Sequence, residues 1–483
     1  MSGADRGSER AGARSPSLEG VSSEPSTQQQ IEPGDSGESG DAAAGILSRP
    51  YRWVTIGMLT LILLSAFEAL AVTTVMPTIS AQFDGASLYA IAFSGPLAIG
   101  VVGMVVAGNW ADRSGPKRAL FVSVACFVGG LIVAGFAVNM ELLVLGRLVS
   151  GLGGGGLTVA LYVLVARVYP ERLHAGVFAG FAASWVVPSL VGPLVAGVVA
   201  ETVGWRWVFL GVVVLAVLAM VMVVPVMRRF ETTSTAVAWN PARILWSAVA
   251  AAAVLAASLS GQFTGPAVWM IAVGSIAVAT VALRPLLPAG ALRARHGLPG
   301  IILLRGIVSG SFVAAETYLP YFLTSQHALS PALAGLALSF AGLAWAAASG
   351  LQGKYSERIS DVASIRIGVV LVTVAIVLVL TASLLDLSPV VSIGAWLFAG
   401  AGMGTMYPRM SMATLRLSTP LNQGFNSSAL TIADSIGAAA ALALTAAVFS
   451  SFAGPSAWAF TGCFALAAVL GVVALVLSGR ARS

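Results

Sequence analysis

The stretch "GRLVSGLGGGGLTVALYVLVARVYPE", residues 146–171, can be read in two ways that lead to different folds. Gly151, Gly153 and Gly156 satisfy G-x-G-x-x-G, and Glu171 follows about twenty residues later, near where a dinucleotide-binding fold keeps its ribose-binding acid. That fingerprint needs a short strand before the glycines and a solvated loop around them. Here the glycines lie inside an apolar run from Leu142 to Val165, long enough to span a bilayer. The remainder of the chain agrees with the membrane reading. Of its 483 residues 57% are hydrophobic and only 10% charged, with a mean hydropathy of +0.90, whereas an ordinary soluble domain carries about 25% charged residues.

Residues 1–48 are of different material, Ser-, Gly-, Glu- and Pro-rich with almost no large apolar side chain. Such a segment cannot bury enough surface to offset its ordering entropy, and a disordered cytoplasmic tail is expected. It has no apolar h-region and is not read as a secretory signal. Cys126 and Cys463 lie in separate apolar runs, and His174, His296 and His327 share no metal-ligand spacing. Neither a disulfide framework nor a metal site is expected, and no cofactor is implied.

Apolar runs of spanning length can be read at 54–78, 87–108, 118–138, 142–166, 176–200 and 206–226, and again at 299–323, 332–350, 365–385, 389–408, 424–449 and 456–478. Between the sets, 242–260 and 266–284 are shorter and Ala-rich, which leaves twelve or fourteen helices; the uncharged turn "SGQFTGP" between them favours fourteen. The expectation is an all-α integral membrane protein of two pseudo-symmetric six-helix bundles, 51–227 and 299–479, joined by a central segment 228–298 that carries two extra spans.

The net charge of +6 and pI near 9.7 do not require a nucleic-acid partner. Arg113, Lys117, Arg118, Arg167, Arg172, Arg284, Lys354, Arg358, Arg416 and Arg480 all fall on one side of this scheme, as basic residues do in short cytoplasmic loops. Only Arg206 flanks the other face. Both termini are therefore expected in the cytoplasm of a plasma-membrane protein.

The two sets of six look duplicated. "GNWADRSGPKR" (108–118) and "GKYSERISD" (353–361) both read G-x-x-x-[DE]-R, 245 residues apart, and the same offset carries Glu68 to within a few residues of Glu316. Paired six-helix halves with a site between them are how many secondary transporters are built.

The first of these stretches strongly resembles the loop between helices two and three of the major facilitator superfamily, and the resemblance covers about residues 51–480. "GRLVSGLGGGG" is similar to that family's fourth-helix motif, with Arg147 as its basic residue. "VGPLVAG" (191–197) is similar to the fifth-helix motif associated with antiporters. "FEALAVTTVMP" places Glu68 nine residues before Pro77, where drug:proton antiporters with fourteen helices usually carry an aspartate. Pro188 and Ala196 stand where the antiporter motif has glycine, and Glu68 replaces aspartate. The resemblance implies a monomeric carrier of small molecules and protons, in contact with membrane lipid.

Candidate residues follow. Gly108, Asp112, Arg113, Gly115, Lys117 and Arg118, with Gly353, Glu357 and Arg358 in the repeat, form a gating loop motif: the glycines for close helix approach, the acids for contacts that break between states. Gly151 and Gly155 make a G-x-x-x-G packing pair, and "GAGMGTMYP" (400–408) repeats the texture. Pro188, Gly192, Pro193 and Gly197 form the antiporter-like element. Glu68, Arg147, Glu316 and Asp434 are charges inside spans, costly to keep and therefore candidates for proton coupling, although a satisfied packing contact is the competing reading for Glu316 and Asp434. Helical rise puts Arg147 roughly 9 Å and Glu68 roughly 13 Å from the outer ends of their helices, at similar depth. Neither Glu316 nor Asp434 has an obvious local partner, and Arg305, near a helix end, is expected to snorkel to the interface. Tyr162, Trp185, Phe312, Tyr318 and Trp345 either line a cavity for cationic or apolar compounds or simply pack.

These residues suggest proton-coupled export of small hydrophobic or cationic compounds, including drugs. Competing readings are proton-coupled uptake of a metabolite, lipid or glycolipid export, and a non-transporting sensor or scaffold, which gains nothing from four costly charges. No nucleophile triad, metal cluster or Walker motif appears, so an enzyme is not expected.

Overall fold

A computed structural model of the chain describes residues 45–49, 51–229, 240–263, 265–355, 358–419, 422–452 and 454–481. Most of the expected tail, Glu357 and the side chain of Asp112 lie outside the described residues.

Among these, fourteen helices are long and apolar enough to cross a membrane, and there is no strand. They are α1 (Arg52–Gln82), α2 (Ile91–Ser114), α3 (Pro116–Gly135), α4 (Met140–Val168), α5 (Glu171–Thr202), α6 (Arg206–Arg229), α7 (Pro241–Leu259) and α8 (Pro266–Ala282). The second set is α9 (Leu298–His327), α10 (Pro331–Lys354), α11 (Asp361–Leu384), α12 (Pro389–Arg416), α13 (Gln423–Ser450) and α14 (Ala457–Leu477). The central Ala-rich pair forms full helices, which settles the count at fourteen among the described residues.

Starts are locally encoded. Proline occupies the first turn of α3, α7, α8, α10 and α12, where a missing N–H costs nothing. Asn139 caps α4 by accepting from Leu142 N at 2.9 Å, and Ser360 caps α11. The stretch expected as a loop at 108–118 is mostly helix: α2 continues to Ser114 and α3 begins at Pro116. Gly115, at φ +78°, is the whole joint, a backbone shape any side chain would strain.

Apolar helices gain no hydrophobic drive from each other in lipid, so they associate by close packing of small residues. A Cβ on Gly151 would strike Pro96, one on Gly153 would strike Ser123 and Phe127, and one on Gly155 would strike the Gly100 backbone. In the second set, Gly400 meets Ala341, Gly402 meets Gly368 and Val372, and Gly404 meets Trp345. Every residue on the α2 and α3 side of these contacts is matched 245 residues later, and every α4 glycine 249 later. The opening glycines are therefore the groove that seats α4 on α2 and α3, and the duplication is structural. Gly155→Ala is expected to cost about 1–3 kcal/mol by overpacking, read as a lower thermal midpoint in detergent. Gly129→Ala, with nothing within 4 Å of its Cβ position, should leave the midpoint in place.

The larger packing repeats too. α4 lies on α2 and α3 as α12 lies on α10 and α11; α1 lies on α5 and α6 as α9 lies on α13 and α14. The sets meet along two seams, α5 with α10 and α2 with α13, which exchange under the same pseudo-twofold relation. α7 breaks that symmetry by packing on both α2 and α13, with α8 outside it. Ser94 and Ser258 share a hydrogen bond at 2.7 Å, Asn240 N donates to Asn109 Oδ1 at 3.1 Å, and the Arg243 guanidinium sits 5.1 Å from the Phe425 ring centre. The α2/α13 seam is thus covered by protein.

Candidate transport site

α4 packs on α1, α2, α3 and α5, and α12 on α9, α10, α11 and α13; neither packs extensively on the other set. The space between them, where Tyr162 of α4 lies within electrostatic reach of Arg305 of α9, is the gap between the sets. Opposite the arginine-rich loops the two sets are tied together. Tyr89 donates its hydroxyl to Thr317 O at 2.9 Å and its ring lies against Tyr321 at 4.7 Å; Ala332 N donates to Glu201 at 2.9 Å. Close backbone packing continues inward along α5 and α10, where Gly197 abuts Ala332, Gly335 abuts Pro193 and Gly342 abuts Ser189. Pro193 and Gly197 are therefore seam residues, while Pro188 is buried and Gly192 faces Phe67 of α1.

Two ion pairs lie within the spans. Arg147 and Glu68 form the first, with side chains only 5% and 9% exposed, and Arg147 Nε also donates to Ala92 O at 3.1 Å. α4 thus reaches both α1 and α2 through one guanidinium. In the second pair Arg305 Nε donates to Asp434 Oδ1 at 2.7 Å and Nη1 to Tyr407 O at 3.3 Å. Tyr407 donates its hydroxyl to the same Asp434 oxygen at 2.9 Å, and its ring centre lies 3.3 Å from the guanidinium carbon. Arg305 does not snorkel to the interface; its side chain is 13% exposed because Asp434 and Tyr407 hold it inward. Asp434 accordingly has a partner, 129 residues away in sequence.

Glu316 does not mirror Glu68. Arg147 corresponds to Trp396 in the α4/α12 register, and where Arg147 meets Glu68, Trp396 stacks on Phe312 at 5.4 Å and 18°. The second set has replaced the ion pair by an aromatic one, and Glu316 sits one turn beyond it. Partly buried, Glu316 has no hydrogen-bond or ion-pair partner among the described residues. Eleven residues on from Arg305, it projects from nearly the same face of α9.

The aromatic set divides. Phe312 and Tyr318, 3% and 1% exposed, are packed between helices in this conformation and offer no surface to a cavity. Tyr162 is 48% exposed, stacks on Phe181 at 5.6 Å, and lies within electrostatic reach of Arg305 across the gap. Trp345 packs edge-on against Tyr407 at 5.5 Å. Trp185 is exposed on α5.

At the arginine-rich end two of the motif glycines are not sterically required: a Cβ on Gly108 would meet only Val159 at 3.7 Å, and one on Gly353 nothing, whereas Gly115 is held by its positive φ. Lys117 and Arg118 open α3, Arg113 ends α2, and Arg358 lies near the Tyr355 ring at 5.8 Å. What the repeat stretch does contribute is Asp361. It accepts from Arg409 Nη1 at 2.9 Å and pairs with Arg416, while Gln352, its amide oxygen turned inward, accepts from Arg409 Nη2 at 3.0 Å. This clasp joins α10, α11 and α12. Asp361→Asn is expected to cost about 1–3 kcal/mol, since the buried Arg409 loses a charged acceptor; a thermal midpoint equal to wild type would contradict it.

A family model described as the Major Facilitator Superfamily matches residues 58–442. The chain belongs to the Major Facilitator Superfamily. The MFS-type transporter ppz2 of Metarhizium majus is 25% identical over 425 residues, 82% of this chain and 71% of the relative. The efflux pump dotC of Dothistroma septosporum is 29% identical over 154 residues, 32% of this chain and 26% of the relative. Among solved structures, peptide transporter POT in complex with alafosfalin matches at 18% identity and a TM-score of 0.65, covering 88% of this chain and 94% of that one. The xylose transporter XylE from E. coli, in a partially occluded inward-open conformation, matches at 15% identity and 0.60, with 88% and 96% coverage. These structures share the fold. The protein is a multi-pass membrane transporter of small molecules, not an enzyme.

Proposed function

We propose that this superfamily member exports small hydrophobic or cationic compounds across the plasma membrane in exchange for protons. The observation that carries the reading is the Glu68–Arg147 pair, a carboxylate and a guanidinium sealed together inside the bilayer on separate helices, α1 and α4, beside the gap. A charge so placed is retained for use. Protonation of Glu68 releases Arg147, and movement of α4 relative to α1 makes or breaks that contact, so proton occupancy and the accessible side of the gap become one equilibrium. Residues 51–227 and 299–479 act as the two moving bodies, with 228–298 between them. The arginine-rich loops and both termini face the cytoplasm, so the state described above opens inward. The "VGPLVAG" stretch at the α5/α10 seam and a relative named as an efflux pump support export over uptake.

The test is a proteoliposome carrying an imposed pH gradient. Adding cationic dyes and antibiotics is expected to drive proton movement out of the acidic compartment together with dye accumulation. Dye movement with no proton flux, or neither with folded protein, would remove the antiport reading.

A further inference from the structure

We propose that the Arg305–Asp434–Tyr407 cluster binds the polar head of the transported compound, and that this head is an ampholyte: a positively charged nitrogen beside a carboxylate, on an aromatic or apolar body. This narrows the preceding reading from cationic compounds at large to those whose cation stands beside a carboxylate, and rests on that reading in placing the transported compound in the gap.

The two ion pairs are built differently. Glu68 and Arg147 are closed off, 9% and 5% exposed, with no surface to offer a ligand. The second pair is open, Asp434 at 28% and Arg305 at 13%. Arg305 uses Nε on Asp434 and Nη1 on the Tyr407 carbonyl; Asp434 uses Oδ1 on both Arg305 and the Tyr407 hydroxyl. Arg305 Nη2 and Asp434 Oδ2 remain, with no protein partner among the described residues. The Tyr407 ring backs the guanidinium and fixes its plane, so the open donor and open acceptor keep their relative position.

A lone cation brought to Asp434 is repelled by Arg305, and a lone anion at Arg305 is repelled by Asp434. In a site partly withdrawn from water both penalties are substantial. A molecule carrying both charges meets an attractive partner at each end. Glu316 projects from nearly the same face of α9 as Arg305 but lies roughly 16 Å further along it, too far to touch the same head group.

The body of the ligand has walls on both sides. Tyr162 comes from α4, half exposed and backed by Phe178 at 5.2 Å and Phe181 at 5.6 Å. Trp345, edge-on to Tyr407, stands on the Arg305 side. One face thus belongs to the first set of helices and the other to the second, so a compound held between them contacts both moving bodies.

The experiment measures binding to the purified transporter in detergent at pH 7, using three forms of one probe: β-naphthylalanine, its methyl ester (cation only) and its N-acetyl derivative (anion only). The free amino acid is expected to bind at least about tenfold more tightly than either single-charge form. Asp434→Asn should weaken the amino acid and the ester and strengthen the N-acetyl form, from which it removes a repulsion; Arg305→Gln should weaken the amino acid and the N-acetyl form and strengthen the ester. Equal affinities in the wild type, an ester that binds best, or losses uniform across the three forms would overturn the assignment. The wild-type comparison needs no variant, so a misfolded mutant does not rescue the idea. Export is judged separately, with the free amino acid added to the proteoliposome in place of the dyes: its tight binding without proton-coupled movement would remove the antiport reading and leave the head-group site standing.

Discussion

Glu68→Gln is expected to abolish uphill transport in the pH-gradient assay, with proton-coupled flux falling at least about a hundredfold, a loss equivalent to about 2.7 kcal/mol. Glutamine keeps the size of the side chain and can still accept a hydrogen bond from Arg147, so the variant should fold and reach the membrane. What it lacks is a proton that can leave. It mimics one protonation state permanently, and substrate should still equilibrate down its own gradient. A structural role for Glu68 predicts the opposite split: impaired folding, with intact coupling in whatever protein remains.

The other large effect concerns the partner. Arg147→Met should destabilise the protein by about 3–5 kcal/mol, because it leaves a carboxylate inside the bilayer with no countercharge, and it also removes the donor to Ala92 O. The double substitution Glu68→Gln with Arg147→Met should recover most of that loss, since no isolated charge remains. The coupling between the two sites, read from thermal midpoints of the four proteins, is then large and favourable. If the double variant is as unstable as Arg147→Met alone, the contribution of Arg147 lies in its bond to Ala92 O, which joins α4 to α2, and not in the pair that joins α4 to α1.

The sequence carries the fourteen spans and the glycine stripe because both are local. Twenty apolar residues read as a membrane helix wherever they occur, and Gly151, Gly153 and Gly155 repeat as Gly400, Gly402 and Gly404 within a few residues of the expected register. Glu68 and Arg147 were readable as partners because both helices could be measured from the same end. The second pair was not. Arg305 and Asp434 are 129 residues apart, and hydropathy says nothing about which helices touch. The one signal in that region is Tyr407, an aromatic donor placed directly before Pro408 inside an otherwise small-residue stretch. A single offset of 245 also concealed a change of register: it holds for α2 and α3 but becomes 249 in α4, because α11 is one turn longer than α3, 24 residues against 20. The offset of 245 carries Arg147 to Ser392 instead of Trp396 and so hid the Phe312–Trp396 stack, while Glu316, a few residues past the position matched to Glu68, was the only acid near it. Phe312 and Tyr318 look like cavity residues by type, and only packing reveals that their neighbours enclose them.

Because α7 bridges α2 and α13, the two seams meet the bilayer on unequal terms. One edge of the transporter is lined with protein and the other, along α5 and α10, is bare to lipid. Halves of matching architecture are therefore braced unequally: α7 and α8 back the α2/α13 seam, while the α5/α10 seam is held by its own close backbone contacts.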